Sequence, residues 1–237
     1  TAVESLRPTV MGAGTVNSRV GINRRQFNRD NTVSLGQNPW GCYDPEMTVL
    51  SFLAKSGEPI ANIIHYGAHC TASGKNTEIT RDWAGVMIDR LEAESSAMTA
   101  FFNGAEGDVG PRLANGHTVG GLRYAMEHGA VAAADAMEAF RRIREYREPS
   151  LACAAGEVRL PYAERIPLEQ ALAGLSAFEG SKTVNLAGRT FEYFTAVAEA
   201  YRSGRPTEEY FSFPQTVIKI GSVVFVPFPF EFFSEIA

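Results

Sequence analysis

Apolar and polar positions recur along this chain with two different periods, and the switches between them set the expected elements. Met47 to Leu53 and Ile60 to Tyr66 are apolar runs separated by Ser56-Gly57-Glu58-Pro59. Two such runs around a short polar turn predict a β-hairpin. From Asp82 the period changes. Ala84, Met87, Ile88 and Leu91 fall at i, i+3, i+4 and i+7, the spacing of one helical face. Asp82 stands just before them, where a side-chain oxygen can cap free backbone amides. Met98 to Phe102 predicts a short buried strand. Leu122, Met126, Ala130, Ala133, Met137 and Phe140 then mark a long, Ala-rich helix that ends by Pro149, because proline lacks the amide and clashes with the preceding turn.

The second half repeats the mixture. Leu151 to Leu160 is strand-like, Leu168 to Phe178 and Phe191 to Tyr201 are helical, and Gly204 is a natural stop. Thr216 to Ile220 and Val223 to Val226, joined by Gly221-Ser222, predict another hairpin. Residues 1–45 read as irregular, with Asn, Arg, Gly and Pro frequent, a compact basic stretch from Val20 to Arg25, and a turn at Asn38-Pro39. Strands and helices interleave without a repeat. The expected fold class is α/β, a single layered domain with a mixed sheet flanked by helices, with residues 1–237 forming part of one domain. The chain begins at Thr1 rather than Met and stops inside an aromatic, strand-rich stretch, so truncation at both ends is expected.

Composition narrows the function classes. At 45% hydrophobic and 21% charged, the chain is ordinary for a globular domain. A net charge of -5 argues against a nucleic-acid partner, which needs clustered Lys and Arg. No apolar run approaches the length of about 18 residues that a transmembrane helix requires, and no signal-peptide pattern is present. Cys42, Cys70 and Cys153 lie far apart and make no zinc-knuckle spacing; one bridge among them remains open. Composition fixes neither oligomeric state nor compartment.

Candidate chemistry gathers at strand ends. Phe102-Asn103-Gly104-Ala105-Glu106-Gly107-Asp108-Val109-Gly110-Pro111-Arg112 follows an apolar run, where layered α/β folds carry ligand chemistry. Asp108 there is able to orient a histidine, accept from backbone amides or bind a cation, and Arg112 to hold a carboxylate or phosphate. Of the four histidines, His117 and His128 read as surface residues. His65 and His69 sit at a strand end. Gly67 between them argues against a helical metal pair, which leaves each as a metal ligand or a hydrogen-bonded structural histidine. Glu231 lies among Phe228, Phe230, Phe232 and Phe233. A carboxylate buried there is costly unless paired or metal-bound, and this favours a ligand. The chain has no Gly-x-Ser-x-Gly elbow and no Gly-Lys-Ser/Thr phosphate loop. Hydrolysis with a metal-held water is the best-supported enzymatic option.

Taken in order, these segments resemble the neutral (non-lysosomal) ceramidase family. Asn23-Arg24-Arg25, His69-Cys70-Thr71 with Asp82-Trp83-Ala84-Gly85, Gly104-Ala105-Glu106-Gly107-Asp108-Val109-Gly110-Pro111 and Pro229-Phe230-Glu231-Phe232 are similar to that family's Asn-Arg, His-x-Thr, Asp-x-x-Gly, Gly-x-x-Gly-Asp-x-x-Pro and Pro-Gly-Glu-Phe segments. The resemblance implies a zinc-dependent amidase that cleaves the N-acyl bond of ceramide or a related N-acyl lipid, and it leaves an extracellular or periplasmic location open. It makes His69 and Glu231 the zinc ligands of this chain, and leaves an earlier histidine and a later tyrosine outside it. Asn103, Asp108 and Arg112 become substrate-binding or loop-supporting residues. One departure stands out. Gly110 occupies the position of the family's catalytic serine, so the catalytic residue is unassigned. Three readings stand: the serine is dispensable, the substrate is another N-acyl compound, or the protein is a non-catalytic lipid- or ligand-binding homologue.

Overall fold

The computed structural model describes residues 3–30, 32–162, 164–178, 190–204 and 210–236. In chain order its elements are β1 (Thr9–Asn17), β2 (Gly21–Asn23), β3 (Arg25–Phe27), β4 (Val33–Leu35), β5 (Glu46–Ala54), β6 (Pro59–Tyr66), α1 (Asp82–Ser95), β7 (Met98–Asn103), β8 (Val109–Pro111), α2 (Leu122–Arg141), β9 (Leu151–Pro161), α3 (Leu168–Ala177), α4 (Phe191–Arg202), β10 (Tyr210–Ile220) and β11 (Val223–Phe225). They divide into two compact units, Thr1–Cys153 with Ile218–Ala237, and Ala154–Val217.

The fold is α/β. In the first unit a four-stranded sheet runs in the order β1-β5-β6-β7. Its first three strands pair antiparallel, and β6 with β7 pair parallel, so the sheet is mixed. Because side chains alternate across a strand, Val16, Met47, Val49, Ile64 and Tyr66 share one face. That face meets Trp83, Met87 and Leu91 of α1 and Ala132, Ala133, Ala136 and Ala139 of α2 in one core. Burying each large apolar side chain contributes about 1.5–3 kcal/mol. The helices form where the periodicity predicts them. Only some of the residues that mark α2 in the sequence are ones it buries: Ala133 lies in the core and Met137 and Phe140 pack on it. Leu122 and Met126 are exposed, and the stripe of small residues from Ala125 to Ala139 faces inward.

Three expectations are corrected. Residues 1–45 are not irregular: β1 is a nine-residue strand at the edge of the main sheet. Its Gly12 and Gly14 lower the apparent strand signal, yet the packing demands them. A Cβ on Gly14 would lie 2.1 Å from the Ala139 carbonyl oxygen, and one on Gly12 would lie 2.3 Å from Ile143. Second, β7 is a strand but not a buried one. It is an edge strand among the described residues, with Met98 and Phe102 largely exposed. Third, His128 is buried, not a surface residue, and its Nε2 lies 2.7 Å from the Val20 carbonyl oxygen. Desolvation lowers its pKa, against that hydrogen bond, which raises it. His117 is exposed as expected.

In the second unit α3 and α4 pack through Ile166, Ala171, Phe178, Phe194 and Val197. Gly204 follows α4 with φ +63°, and its amide donates to the Tyr201 carbonyl, as a helix stop should. The last hairpin is present as β10 and β11, antiparallel through Ile218↔Phe225. Among the described residues no helix is long and apolar enough to cross a membrane, and Cys42, Cys70 and Cys153 are free thiols.

The approach of α2 to β1 gives a direct test. Gly14→Ala places its new methyl against backbone that cannot swing aside, so chemical denaturation should show a loss of about 1–3 kcal/mol. A loss below about 0.3 kcal/mol would show that α2 does not depend on this contact.

Candidate metal centre

His69 is aimed by the loop that leaves β6. Its backbone amide donates to the Val109 carbonyl at 3.1 Å, and its ring Nδ1 lies 3.1 Å from the same oxygen. A carbonyl only accepts, so Nδ1 carries a proton and Nε2 faces outward. The far side of the loop is held by Asp82. Its carboxylate accepts from the amides of Ala72 at 3.1 Å, Ser73 at 2.7 Å and Trp83 at 2.8 Å. Trp83 Nε1 then donates to the His69 carbonyl at 3.0 Å. Asp82 is thus the first residue of α1, not the residue before it, and it reaches the helix through the Trp83 amide alone. Its other two bonds fix the histidine loop. It does so at φ +56°, a left-handed conformation that costs a non-glycine residue about 1–2 kcal/mol.

Glu231 arrives from the far end of the chain. Gly107 donates its amide to the Phe232 carbonyl at 3.0 Å, and the fully buried Asp108 accepts from the Ser234 amide at 2.8 Å and the Ser234 hydroxyl at 3.0 Å. Asn23 Nδ2 donates to Asp108 at 3.0 Å from β2. Only a glycine fits at 107, because a Cβ there would sit 2.9 Å from the carbonyl oxygens of Glu231 and Phe232. The outcome is a short His69 Nε2 to Glu231 Oε2 separation of 3.0 Å. A lone pair and a carboxylate oxygen repel at that distance unless a proton or a cation lies between them. Glu231 itself is 59% exposed, so the aromatic burial expected from the sequence does not occur. Phe228 packs on Phe230 and Phe232 instead, leaving the carboxylate free to face His69.

Glu106 completes the cluster, and the sequence reading gave it no role. One ligand atom from each of His69, Glu106 and Glu231 lies within 4.8 Å of the other two, a group that could hold a metal ion. Glu106 Oε2 is buried with no hydrogen-bond partner and lies 3.9 Å from His69 Nδ1. Desolvation raises its pKa and Glu231 adds to the rise, while His69, Arg24 and Asn103 oppose it. Arg24 donates to the Gly107 carbonyl at 3.0 Å and stands 4.0 Å from Glu231 Oε2, balancing part of the negative charge.

The remaining predicted residues divide. Asn103 ends β7, exposed, and its side chain reaches Glu106. Asp108 is spent on Asn23 and Ser234 and presents no free oxygen to a ligand. Arg112 leans away, with Nη2 3.4 Å from the Tyr43 hydroxyl. His65 lies on the sheet face opposite the helices and does not join His69. Gly110 pairs with Ile22 in β2–β8, and a Cβ on it would lie 2.8 Å from Thr118 Cβ. Thr118 therefore fills the space a serine would need. The signal for Glu106 was available: it is the second carboxylate of the glycine loop.

No family model matches this sequence, and comparison with curated proteins finds no match either. Solved structures do match. The neutral ceramidase of Pseudomonas aeruginosa aligns at TM-score 0.57 and 20% identity, over 93% of this chain and 40% of that one. The fold is ceramidase-like. A ceramidase complexed with C2 aligns at TM-score 0.58 and 20% identity, over 93% of this chain and 41% of that one. The chain thus spans about two fifths of the length of the ceramidases it matches. That fold agrees with the resemblance drawn from the ordered segments.

Two outcomes follow from this geometry. Asp82→Ala leaves three amide donors without their carboxylate acceptor and should cost at least about 3 kcal/mol in chemical denaturation, since hydrogen bonds to charged groups are each worth about 1.5–3 kcal/mol. Asp82→Gly relieves the left-handed strain and should cost about 1 kcal/mol less than the alanine; equal losses would refute the strain argument. Gly110→Ser should cost about 1–3 kcal/mol by overpacking, and Thr118→Gly in the same molecule should restore most of it. Additive losses in that pair would mean that Thr118 does not fill the serine's space.

Proposed function

We propose that this chain is part of a zinc-dependent amide hydrolase of the ceramidase type, acting on the N-acyl bond of ceramide or a related N-acyl lipid. The observation that carries the reading is the 3.0 Å approach of His69 Nε2 to Glu231 Oε2 beside Glu106, in a fold shared with neutral ceramidases. The donor set suits zinc, which takes imidazole nitrogen and carboxylate oxygen. The buried Glu106 oxygen without a hydrogen-bond partner also fits a cation, because an unsatisfied buried carboxylate is costly in its absence.

His69 and Glu231 hold the metal. When bound, zinc supplies Lewis-acid polarisation of an amide carbonyl and activation of water near neutral pH. The chain's own residues do the positioning. Val109 fixes the imidazole through Nδ1, so Nε2 stays available as a donor atom. Arg24 steadies Glu231 and offsets the two carboxylates. Asp108 and Arg112 support the loop rather than the substrate. Asn103, exposed beside Glu106, is the polar residue placed to meet a head group. A side chain at Gly110 has no part in this account.

The test is zinc content by mass spectrometry together with fatty-acid release from ceramide. His69→Ala and Glu231→Gln should each lose the metal and lower kcat/KM by about 10³-fold, about 4 kcal/mol in barrier. Unchanged zinc and turnover in Glu231→Gln would sink the ligand assignment. Bound zinc with no release from any N-acyl amide would instead identify a binding homologue.

A further inference from the structure

Resting on the metal-site reading above, we propose that Glu106 is a third direct metal ligand, so that this chain by itself presents a His-Glu-Glu donor set rather than two isolated ligands. The argument begins with placement. Glu106 and Glu231 sit in different loops, but their immediate neighbours are cross-bonded. Gly107 donates to Phe232, and Asp108 accepts twice from Ser234. Two carboxylates are therefore brought to the His69 ring together, Glu106 nearest Nδ1 and Glu231 nearest Nε2, by loops bonded to each other.

Like charges held together this way repel, and the fold does little to satisfy one of them. Glu106 Oε2 is buried without a hydrogen-bond partner, although a buried polar atom normally finds one. Arg24 is the nearby cation, but its guanidinium is directed to the Gly107 carbonyl and to Glu231. A divalent cation resolves all three features at once. It separates His69 Nε2 from Glu231, neutralises the carboxylate pair, and supplies the missing partner of Glu106. The donor atoms already lie within 4.8 Å of one another, and four-coordinate zinc with bonds of about 2.0–2.2 Å needs them about 3.4 Å apart. Closing that gap turns Glu106, whose Oε2 now lies 3.9 Å from the Nδ1 edge of the ring, toward Nε2.

The experiment uses this chain and zinc alone, with affinity measured by competition against a chromophoric chelator and melting followed with and without metal. Wild type should bind zinc with a three-ligand affinity and gain melting temperature on loading. Losing an outer-shell partner already costs a metal site about 10–100-fold, so Glu106→Gln should weaken zinc binding by at least about tenfold and shrink the metal-induced gain. In chelator the same variant should melt no lower than wild type, because it removes an unsatisfied buried charge; this separates ligand loss from misfolding. Glu106→Gln binding zinc within about twofold of wild type, while Glu231→Gln does not bind, would overturn Glu106 as a ligand and leave the metal site standing. Wild type failing to bind zinc would overturn the metal-site reading, and this inference with it.

Discussion

The Asp108 carboxylate joins three parts of the chain that have no local reason to meet. It accepts from Asn23 on β2, and from the amide and hydroxyl of Ser234, 126 residues further on. A fully buried carboxylate is tolerated only when its oxygens are satisfied, and here each oxygen has a donor. Together with the Gly107–Phe232 hydrogen bond and Arg24, this node fixes Glu231 beside His69, which is 162 residues away in the chain. Of the two roles open to Asp108, contact with a ligand or support of its loop, its hydrogen bonds are those of support.

A second clamp of the same chemistry lies on the other side of His69. Asp82 gathers two loop amides and the Trp83 amide of α1, and the Trp83 indole donates to the His69 carbonyl. The two acidic residues thus act alike. Each spends its charge on backbone and side-chain donors, and each leaves the exposed chemistry to residues with fewer internal bonds. Glu106 and Glu231 are those residues, and the contrast separates structural carboxylates from candidate ligands more clearly than burial alone. Glu231 is exposed and Glu106 is not, yet both face the same histidine.

Steric economy runs through the scaffold as well. β1 can lie under α2 because Gly12 and Gly14 carry no Cβ, and α2 answers with a stripe of alanines. At Gly110 the same economy has a chemical consequence. Thr118 occupies the space beside it, so the position that carries a serine in the resembling family is closed here by packing, not merely by composition.

Much of this was legible in the chain. Helices α1 to α4 and the β5–β6 and β10–β11 hairpins follow from period and turn residues, since one buried face imposes its spacing on the sequence. The ordered segments around His69, Asp108 and Glu231 pointed to the fold that the solved ceramidases share. What stayed hidden was set by contacts between distant residues. β1 was missed because its glycines report the neighbour they admit, not a strand propensity. His128 looked like a surface residue because its burial depends on Val20, 108 residues away. Glu106 was unassigned because a glutamate in a glycine loop is ordinary until Glu231 and His69 are placed beside it. The sequence by itself determined the helices, the two hairpins and which residues were available for chemistry. Only the tertiary structure decided which carboxylates are spent holding the fold and which face the histidine, because that depends on where each oxygen finds its donors.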